Sequence, residues 1–598
     1  MKRSAVIALL LVYAAMCASA YVADVIFERL PHLEDEIAYL YQARIFEKGD
    51  LYIATPEPRL AYWQPFVIDC TSRIDQTYDT DCNGRRFGKY PPGWSLLLAF
   101  GTANETPWVV NVFFAGLVVA MVYRFGRELY NETAGVAGAL LMTISPIAVL
   151  LNGTLMGHTS ALFLTLVFLY SLWRIEHRRR VLWWGVLAGL SLGFLIIMRP
   201  LSAVGIAIPY VLYSVLRLTW LGWVKIQAVY PDHWWQRWGL SSLTLISLSV
   251  ILMGVYSLFL PWQAALIFAI TALVLGMILI GLRYHAEFWR TLRPLIAVGV
   301  CTLALGALYP AYNHALTGNS RANMYRFVWD YDQIGFGPGH GRAENGHNLE
   351  RAQRIAKRDT HCYARDLFGW VQQPDNPPDE FTATNDCLRD KRGYSWVLLV
   401  PALLLMSNRR WTLLLLALAG SLILIHFTYW IGAGIYSARY YYEATGALAI
   451  ASGAGIAGLV RLMDAIRLPA LKYVIYTLLG IAVAFTSIGY TPKRLEPLVG
   501  YECTDRGYLR EIERLRESPD KPVLVIAYGE QSQCKGRASW RDIGSLMAVT
   551  DPYTENDIIM LRDLDMQYRD HLIAMYPERQ VIYMMKNRLY LPEDAPGS

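Results

Sequence analysis

Charge is scarce in this chain. Asp, Glu, Lys and Arg make up only 17% of 598 residues, against 54% apolar ones. A soluble protein of this length carries more charge. No internal repeat or low-complexity tract stands out, and no ligand spacing demands a metal. The glycine-rich run Gly335-Phe336-Gly337-Pro338-Gly339 lacks the Lys-Ser/Thr and the strand–turn–helix setting of a phosphate loop, which excludes that kind of nucleotide site. The net charge of +6 needs no nucleic-acid partner. Lys and Arg sit mostly at the ends of apolar runs, where membrane topology and anionic lipid account for them.

What the chain has is long apolar runs flanked by Trp and Tyr, the pattern of a polytopic α-helical membrane protein. We expect thirteen spans, near 4–27, 107–123, 132–151, 158–173, 181–198, 202–218, 241–260, 264–282, 295–312, 394–407, 411–427, 443–460 and 471–489. The span at 394–407 is the shortest and a candidate re-entrant segment. Residues 1–20, with Lys2, Arg3 and Ala18-Ser19-Ala20, read either as a cleavable signal peptide or as an uncleaved first helix. The helix is preferred, because the rest of the chain is itself a membrane protein.

Basic residues fix the sides. With the N-terminus in the cytoplasm, Arg124, Arg127, Arg174, Arg217, Arg283, Arg409, Arg410, Arg461 and Arg467 fall in inner loops. The short outer loops hold only Arg199 and Arg439, which is the positive-inside pattern. Cysteine placement agrees. Cys17 and Cys301 fall inside spans, and the other six fall two to each long outer segment: Cys70 and Cys82, Cys362 and Cys387, Cys503 and Cys534. Three disulfides in an oxidising compartment are expected. The domain plan is a transmembrane module, 1–489, with outer loops at 28–106 and 313–393. A small outer-face α/β domain follows at 490–598, with strand-like runs Val523 to Tyr528 and Gln580 to Met584.

Just beyond the first span stands Leu33-Glu34-Asp35-Glu36-Ile37. Residues 36–47 read as an amphipathic helix along the membrane surface, with Ile37, Leu40, Tyr41 and Ile45 on one face. Asp35 is then either its N-cap or half of a catalytic carboxylate pair with Glu36. This pair resembles that of the GT-C superfamily of membrane glycosyltransferases. More narrowly, it is similar to that of the dolichyl-phosphate-mannose protein mannosyltransferase and aminoarabinose transferase group. Gly88-Lys89-Tyr90-Pro91-Pro92 resembles that group's Lys-Pro or Tyr-Pro-Pro segment. Tyr436-Ser437-Ala438-Arg439-Tyr440-Tyr441-Tyr442-Glu443 resembles the Gly-Pro-Arg-Tyr segment of bacterial members, with Ser-Ala in place of Gly-Pro, and Gly335 to Gly341 is similar to such members as well.

The resemblance implies an inverting transfer from a polyprenyl-phosphate sugar to an acceptor hydroxyl on protein, lipid or polysaccharide, at the outer face of a bacterial inner membrane. It implies Asp35 as base, Glu36 as its orienting neighbour, and Lys89 and Arg439 as contacts to the donor phosphate. Tyr90, His158, Arg199, His340, Tyr440 and Glu443 complete the candidate substrate contacts. For Arg439 the alternative is a structural pair with Glu443, for Arg199 simple interfacial snorkelling, for His158 a turn residue, and for His340 a loop without chemistry. A divalent metal on Asp35, Glu36 and a histidine is left open. Trp329-Asp330-Tyr331-Asp332 faintly resembles an oligosaccharyltransferase signature and is set aside. A flippase for a lipid-linked saccharide and a non-catalytic scaffold are the rival functions.

Overall fold

A computed structural model describes residues 3–70, 84–177, 180–229, 287–371, 393–405, 408–528, 533–534, 537–538, 544–563, 565–586 and 588–595. Among these, nine helices are long and apolar enough to cross a membrane. A bent pair, Glu132–Ile144 and Pro146–Asn152, makes ten if it is one span. Ten of the thirteen expected spans therefore have a counterpart. Those at 241–260 and 264–282 lie outside the described residues. At 394–407 the described helix is only Leu399–Leu405, seven residues and about 10 Å, too short to cross.

The chain opens with α1 (Arg3–Tyr21), continued by a π-turn at Val22–Ile26, then α2 (Glu34–Glu47). Strands β1 (Ile53–Ala54), β2 (Val67–Cys70) and β3 (Arg85–Gly88) form a small antiparallel sheet with β3 in the middle. After α3 (Pro92–Thr102) come α4 (Val109–Leu129), α5 (Glu132–Ile144), α6 (Pro146–Asn152), α7 (His158–His177), α8 (Val181–Met198) and α9 (Pro200–Val229). Helices Arg409–His426, Thr445–Ala465 and Leu471–Ala484 follow the middle loop.

The helix Thr445–Ala465 runs through the centre, buried on nearly every face. Its small residues permit close approach. A Cβ on Gly453 would lie 2.4 Å from the carbonyl oxygen of Ala134 and 2.5 Å from the nitrogen of Gly138. Without a hydrophobic drive between helices in lipid, such small-residue contacts supply the packing.

Two carboxylates gather the basic ends of the helices. Glu128 accepts from Arg174 (2.8 Å) and Tyr170 (3.0 Å). Glu176 accepts from Arg217 (2.5 Å), Tyr213 (2.6 Å), Arg410 (3.0 Å) and the Trp411 indole (3.1 Å). Arginines expected in three separate inner loops thus meet at one end of the bundle.

The C-terminal region carries a four-stranded sheet in the order β7-β4-β8-β9, where β4 is Val523–Tyr528, β7 is Ile558–Asp563, β8 is Gln580–Met585 and β9 is Arg588–Tyr590. A separate two-stranded ladder pairs β5 (Gln533–Cys534) with β6 (Arg537–Ala538). β4 is parallel to both neighbours and buried at every position, so its apolar run is continuous and not alternating. Val523 and Val525 pack with Ile512 and Leu546. Leu524 and Ile526 pack on the other face with Leu572, and with Ala61 and Tyr62 of the first outer loop. Cys70, Cys362 and Cys503 are disulfide-bonded, and Cys17 and Cys301 are free. Cys82, Cys387 and the side chain of Cys534 lie outside the described residues.

Candidate active site

The acidic helix departs from expectation in two ways. It is not a surface helix. Ile37, Ala38, Tyr39, Leu40, Tyr41, Gln42, Ala43 and Ile45 are all buried, which leaves no lipid-facing or water-facing stripe. It packs against α3 on one side, and its Arg44 donates to the carbonyls of Ala548 (2.9 Å) and Thr550 (3.3 Å) on the other. Nor is Asp35 its cap. The helix begins at Glu34, with Leu33 at the N-cap position.

Capping falls to Glu36, the third residue of the helix. Its Oε2 accepts from the N–H groups of His32 (2.9 Å) and Leu33 (3.1 Å), and its Oε1 accepts from the N–H of Leu155 (2.7 Å). That last bond joins α2 to the turn after α6. Helices need such acceptors for their first free N–H groups. Burial pushes the Glu36 carboxyl up to about 7, against the opposing pull of these donors. Glu36 is 1% exposed, so it holds the helix in place and does not reach outward.

Asp35 does reach outward. Its side chain is 17% exposed, and its Oδ2 lies 3.1 Å from Nη1 of Arg439. The hydroxyl of Tyr90 donates to its Oδ1. Tyr90 stacks at a tilt on Tyr39, with ring centroids 4.5 Å apart. Motifs more than 300 residues apart in sequence, Asp35 and Arg439, are therefore in contact, with the residue after Lys89 as the third member.

Arg439 is aimed by a backbone turn. Tyr436 (φ 56°) and Ser437 (φ 64°) both adopt the left-handed conformation, and the chain then enters the 3₁₀ turn Arg439–Ala444. Ser437 stands where bacterial members of the resembled group have Gly, which takes this conformation without cost. The shape is kept here in spite of the substitution. Packing of Tyr436 against Phe27 and Tyr501 holds it, and its hydroxyl donates to Glu36 (3.3 Å).

Glu443 is not the partner of Arg439. The neighbour four residues on turns away and pairs with Arg199, at 2.6 Å. Arg199 caps the C-terminal end of α8 and is only 13% exposed, so it is an ion-pair member and not a snorkelling side chain. His158 begins α7, 1% exposed, with neither ring nitrogen hydrogen-bonded among the described residues. The turn that presents it is pinned. Asn111 donates to the carbonyls of Thr154 (2.7 Å) and Met156 (2.8 Å), and the Trp94 indole donates to that of Leu155 (2.8 Å). Tyr440 stacks on His426, with centroids 5.2 Å apart.

Lys89 is enclosed. Its Nζ lies 3.7 Å from the ring centre of Phe66, 4.8 Å from Trp329, 5.1 Å from Tyr325 and 5.3 Å from Tyr90. Asp332 pairs with it at 3.5 Å. Burial lowers the proton affinity of Lys89, and Asp332 opposes that shift. Asp332 also accepts from Tyr429 (2.9 Å) and from the Trp430 indole (3.0 Å). Trp329 and Asp332 belong to the segment set aside in the sequence, so that reading missed them. Its one usable signal was an acidic, aromatic run in an outer loop, the surroundings a buried lysine requires.

His340 stays in its own loop. Its ring sits against Gly335, and its Nδ1 is 3.3 Å from the carbonyl of Pro338. None of its described contacts reaches Asp35. Among the described residues no three His, Cys, Asp or Glu side chains converge to hold a metal. Both Glu36 oxygens accept from backbone N–H groups.

The cluster lies at one end of the bundle. His158 and Arg199 stand at the start of α7 and the end of α8, while Arg174 and Glu176 stand near the other end of α7. Residues 90–231 match the profile of the dolichyl-phosphate-mannose-protein mannosyltransferase family. No curated protein sequence matches the chain. Similar solved structures include ArnT from Cupriavidus metallidurans bound to undecaprenyl phosphate (12% identity, TM-score 0.46, 98% of each chain covered). AglB from Archaeoglobus fulgidus, with an inhibitory peptide and a dolichol-phosphate, is similar over 96% of this chain and 69% of its own (13% identity, TM-score 0.42). The apo oligosaccharyltransferase of Archaeoglobus fulgidus is similar over 94% of this chain (14% identity, TM-score 0.41). The alignment spans 65% of that enzyme's length. Over residues 90–231 the chain is thus similar to the dolichyl-phosphate-mannose-protein mannosyltransferase family, the group that its acidic pair and its Lys-Tyr-Pro-Pro and Arg-Tyr segments resemble.

Proposed function

We propose that this protein transfers a sugar from a polyprenyl-phosphate carrier to an acceptor hydroxyl at the outer face of the membrane, with inversion at the anomeric carbon. The observation that carries the reading is the Asp35–Arg439 pair, partly exposed at the end of the bundle opposite the arginine-rich end. The N-terminus and the arginine hubs are then cytoplasmic, by the positive-inside rule.

In the resting enzyme Arg439 holds the Asp35 carboxylate in place through their ion pair. When the donor binds, its phosphate competes for the guanidinium, and Arg439 moves its hydrogen bonds from the carboxylate to the phosphate oxygens. Asp35 is then free to accept a proton. The acceptor oxygen attacks the anomeric carbon and loses its proton to Asp35. The bond from that carbon to the phosphate oxygen breaks, and its electron pair leaves with the polyprenyl phosphate. Arg439 stabilises the charge that develops there.

Tyr90 orients Asp35 through its hydroxyl. Lys89 is a second cation for the phosphate, and reaching it requires the Asp332 pair to open. Glu36 positions the helix that carries Asp35.

The test is donor consumption in membranes by the wild type and by Asp35→Asn and Arg439→Ala. Loss of about 10²–10⁴-fold in rate is expected for the first, the usual worth of a positioned base. Loss of about 10²–10³-fold is expected for the second. An Asp35→Asn enzyme with wild-type turnover would refute the assignment.

A further inference from the structure

The arginine-rich end of the bundle holds more positive charge than its own carboxylates meet. Arg217 and Arg410 share Glu176, at 2.5 and 3.0 Å, and Arg174 and Arg124 share Glu128, at 2.8 and 3.6 Å. Glu176 has no capacity left. A carboxylate has about four acceptor positions. The Tyr213 hydroxyl and the Trp411 indole take what the two arginines leave. Each guanidinium, by contrast, keeps N–H groups in reserve, because among the described residues Arg217 and Arg410 each donate only to Glu176. A further acceptor, anionic and rich in lone pairs, fits them.

These groups stand beside a cleft. Its walls include Leu172, Ile175 and Glu176 of α7, Ser214 and Arg217 of α9, and Leu295 of the helix Glu287–Gly306. It holds about 410 Å³ of atom-free space, part of it open to the exterior. The cleft lies at a defined depth. The spans His158–His177 and Pro200–Leu218 end here, and the span Arg409–His426 begins here. Span ends lie at the level of lipid headgroups. Arg217 is 32% exposed and Arg410 51%, so an incoming anion reaches both without breaking their bonds to Glu176.

An inorganic anion would leave the apolar wall bare. A zwitterionic headgroup would bring its own cation to a place where cations are already in excess. An anionic phospholipid suits both walls. We propose that this cleft binds one, with its phosphate on Arg217 and Arg410 and its glycerol and upper acyl carbons along Leu172, Ile175 and Leu295. By the orientation proposed above, the lipid belongs to the inner leaflet. The site is at the opposite end of the bundle from Asp35, and its existence does not depend on the transfer reaction.

The experiment places the full chain in nanodiscs of phosphatidylcholine with a minor fraction of phosphatidylglycerol. Lipid retained on the protein after extraction is counted by native mass spectrometry. The wild type is expected to retain phosphatidylglycerol about 10-fold over its share of the bilayer, and Arg217→Gln to lose most of that preference. Arg217→Lys keeps the charge but not the planar fork, and should also lose part of it. Arg510→Gln, an equal change of charge at an exposed arginine of the C-terminal region, should retain the lipid as the wild type does. Ser214→Leu narrows the cleft and leaves the four donors to Glu176 in place, so it tests the site even where Arg217→Gln fails to fold. Its retention should fall. Retention of the two lipids in proportion to the bilayer by the wild type would overturn the proposal. So would undiminished preference in Ser214→Leu or in a folded Arg217→Gln. Full preference in Arg217→Lys, abolished in all proteins by high salt, would reduce the effect to diffuse attraction and overturn the site.

Discussion

At the scale of single residues, adjacent carboxylates have been given different work by their surroundings. Asp35 is partly exposed and faces Arg439, whereas Glu36 is buried and accepts three backbone N–H groups. The Glu36→Gln substitution keeps one acceptor oxygen and replaces the other with a donor facing N–H groups. It should destabilise the protein by about 1–3 kcal/mol, read as a fall in melting temperature in detergent. Its pH behaviour follows from burial. Because the folded-state value is raised to about 7 from 4.5, the folded protein holds this proton where the unfolded chain has released it. The contribution is fully present below pH 4.5, is lost as pH rises toward 7, and is flat above that. The stability of the wild type should therefore fall relative to that of Glu36→Gln between pH 4.5 and about 7, and the two pH profiles should run parallel outside that window. The sequence singles out Arg439 as a charge in a short outer loop, where basic residues are rare, while it leaves Asp35 as either a helix cap or half of a carboxylate pair. The role of Glu36 is not legible there, because its third donor, the N–H of Leu155, arrives from 119 residues away.

At the scale of elements, short connections set the site more than the long helices do. The break of 60° between α5 and α6 returns the chain at Leu155 to Glu36 and presents His158. The left-handed pair Tyr436 and Ser437 turns Arg439 toward Asp35. Ser437→Gly should raise stability slightly, by up to about 1 kcal/mol, because glycine takes a left-handed φ without strain. Ser437→Val should lower it and slow turnover, as the turn moves Arg439. Both are read by thermal melting alongside donor consumption. Spacing along the sequence misleads at this turn. Glu443 stands four residues after Arg439, the separation of an ion pair on an α-helix, but residues 439–444 form a 3₁₀ turn that sends the two side chains apart. Lys89 illustrates the same limit. Its motif is visible, but its cage comes from Phe66, Tyr325, Trp329 and Asp332, none of which neighbours it in the chain.

At the scale of the molecule, the division into a helical membrane body and a C-terminal sheet region is readable from composition alone. The attachment between them is not. Arg44 of α2 donates to Ala548 and Thr550, Lys48 pairs with Glu555 at 2.9 Å, and His32 contacts the carbonyl of Tyr501 through Nδ1 at 2.8 Å. The helix that carries Asp35 is thus backed by the C-terminal region. Arg44→Ala removes the donor to two carbonyls and should cost about 1–3 kcal/mol. Faster cleavage between the sheet and the membrane body in limited proteolysis would show it, together with a modest fall in turnover. Lys48→Ala breaks an exposed pair with Glu555 and a distant contact with the Tyr553 ring (5.9 Å), and should change neither by a measurable amount.

The central step of the proposed reaction is Asp35 acting as a base on a lipid-linked donor. The direct measurement supplies radiolabelled polyprenyl-phosphate sugars to membranes containing wild type or Asp35→Asn protein at matched, detergent-stable yield, and follows label leaving the carrier. Consumption of one donor by the wild type, reduced at least about 10²-fold in the variant, is the predicted result. Equal consumption by both would contradict it and leave Asp35 as a structural partner of Arg439 and Tyr90.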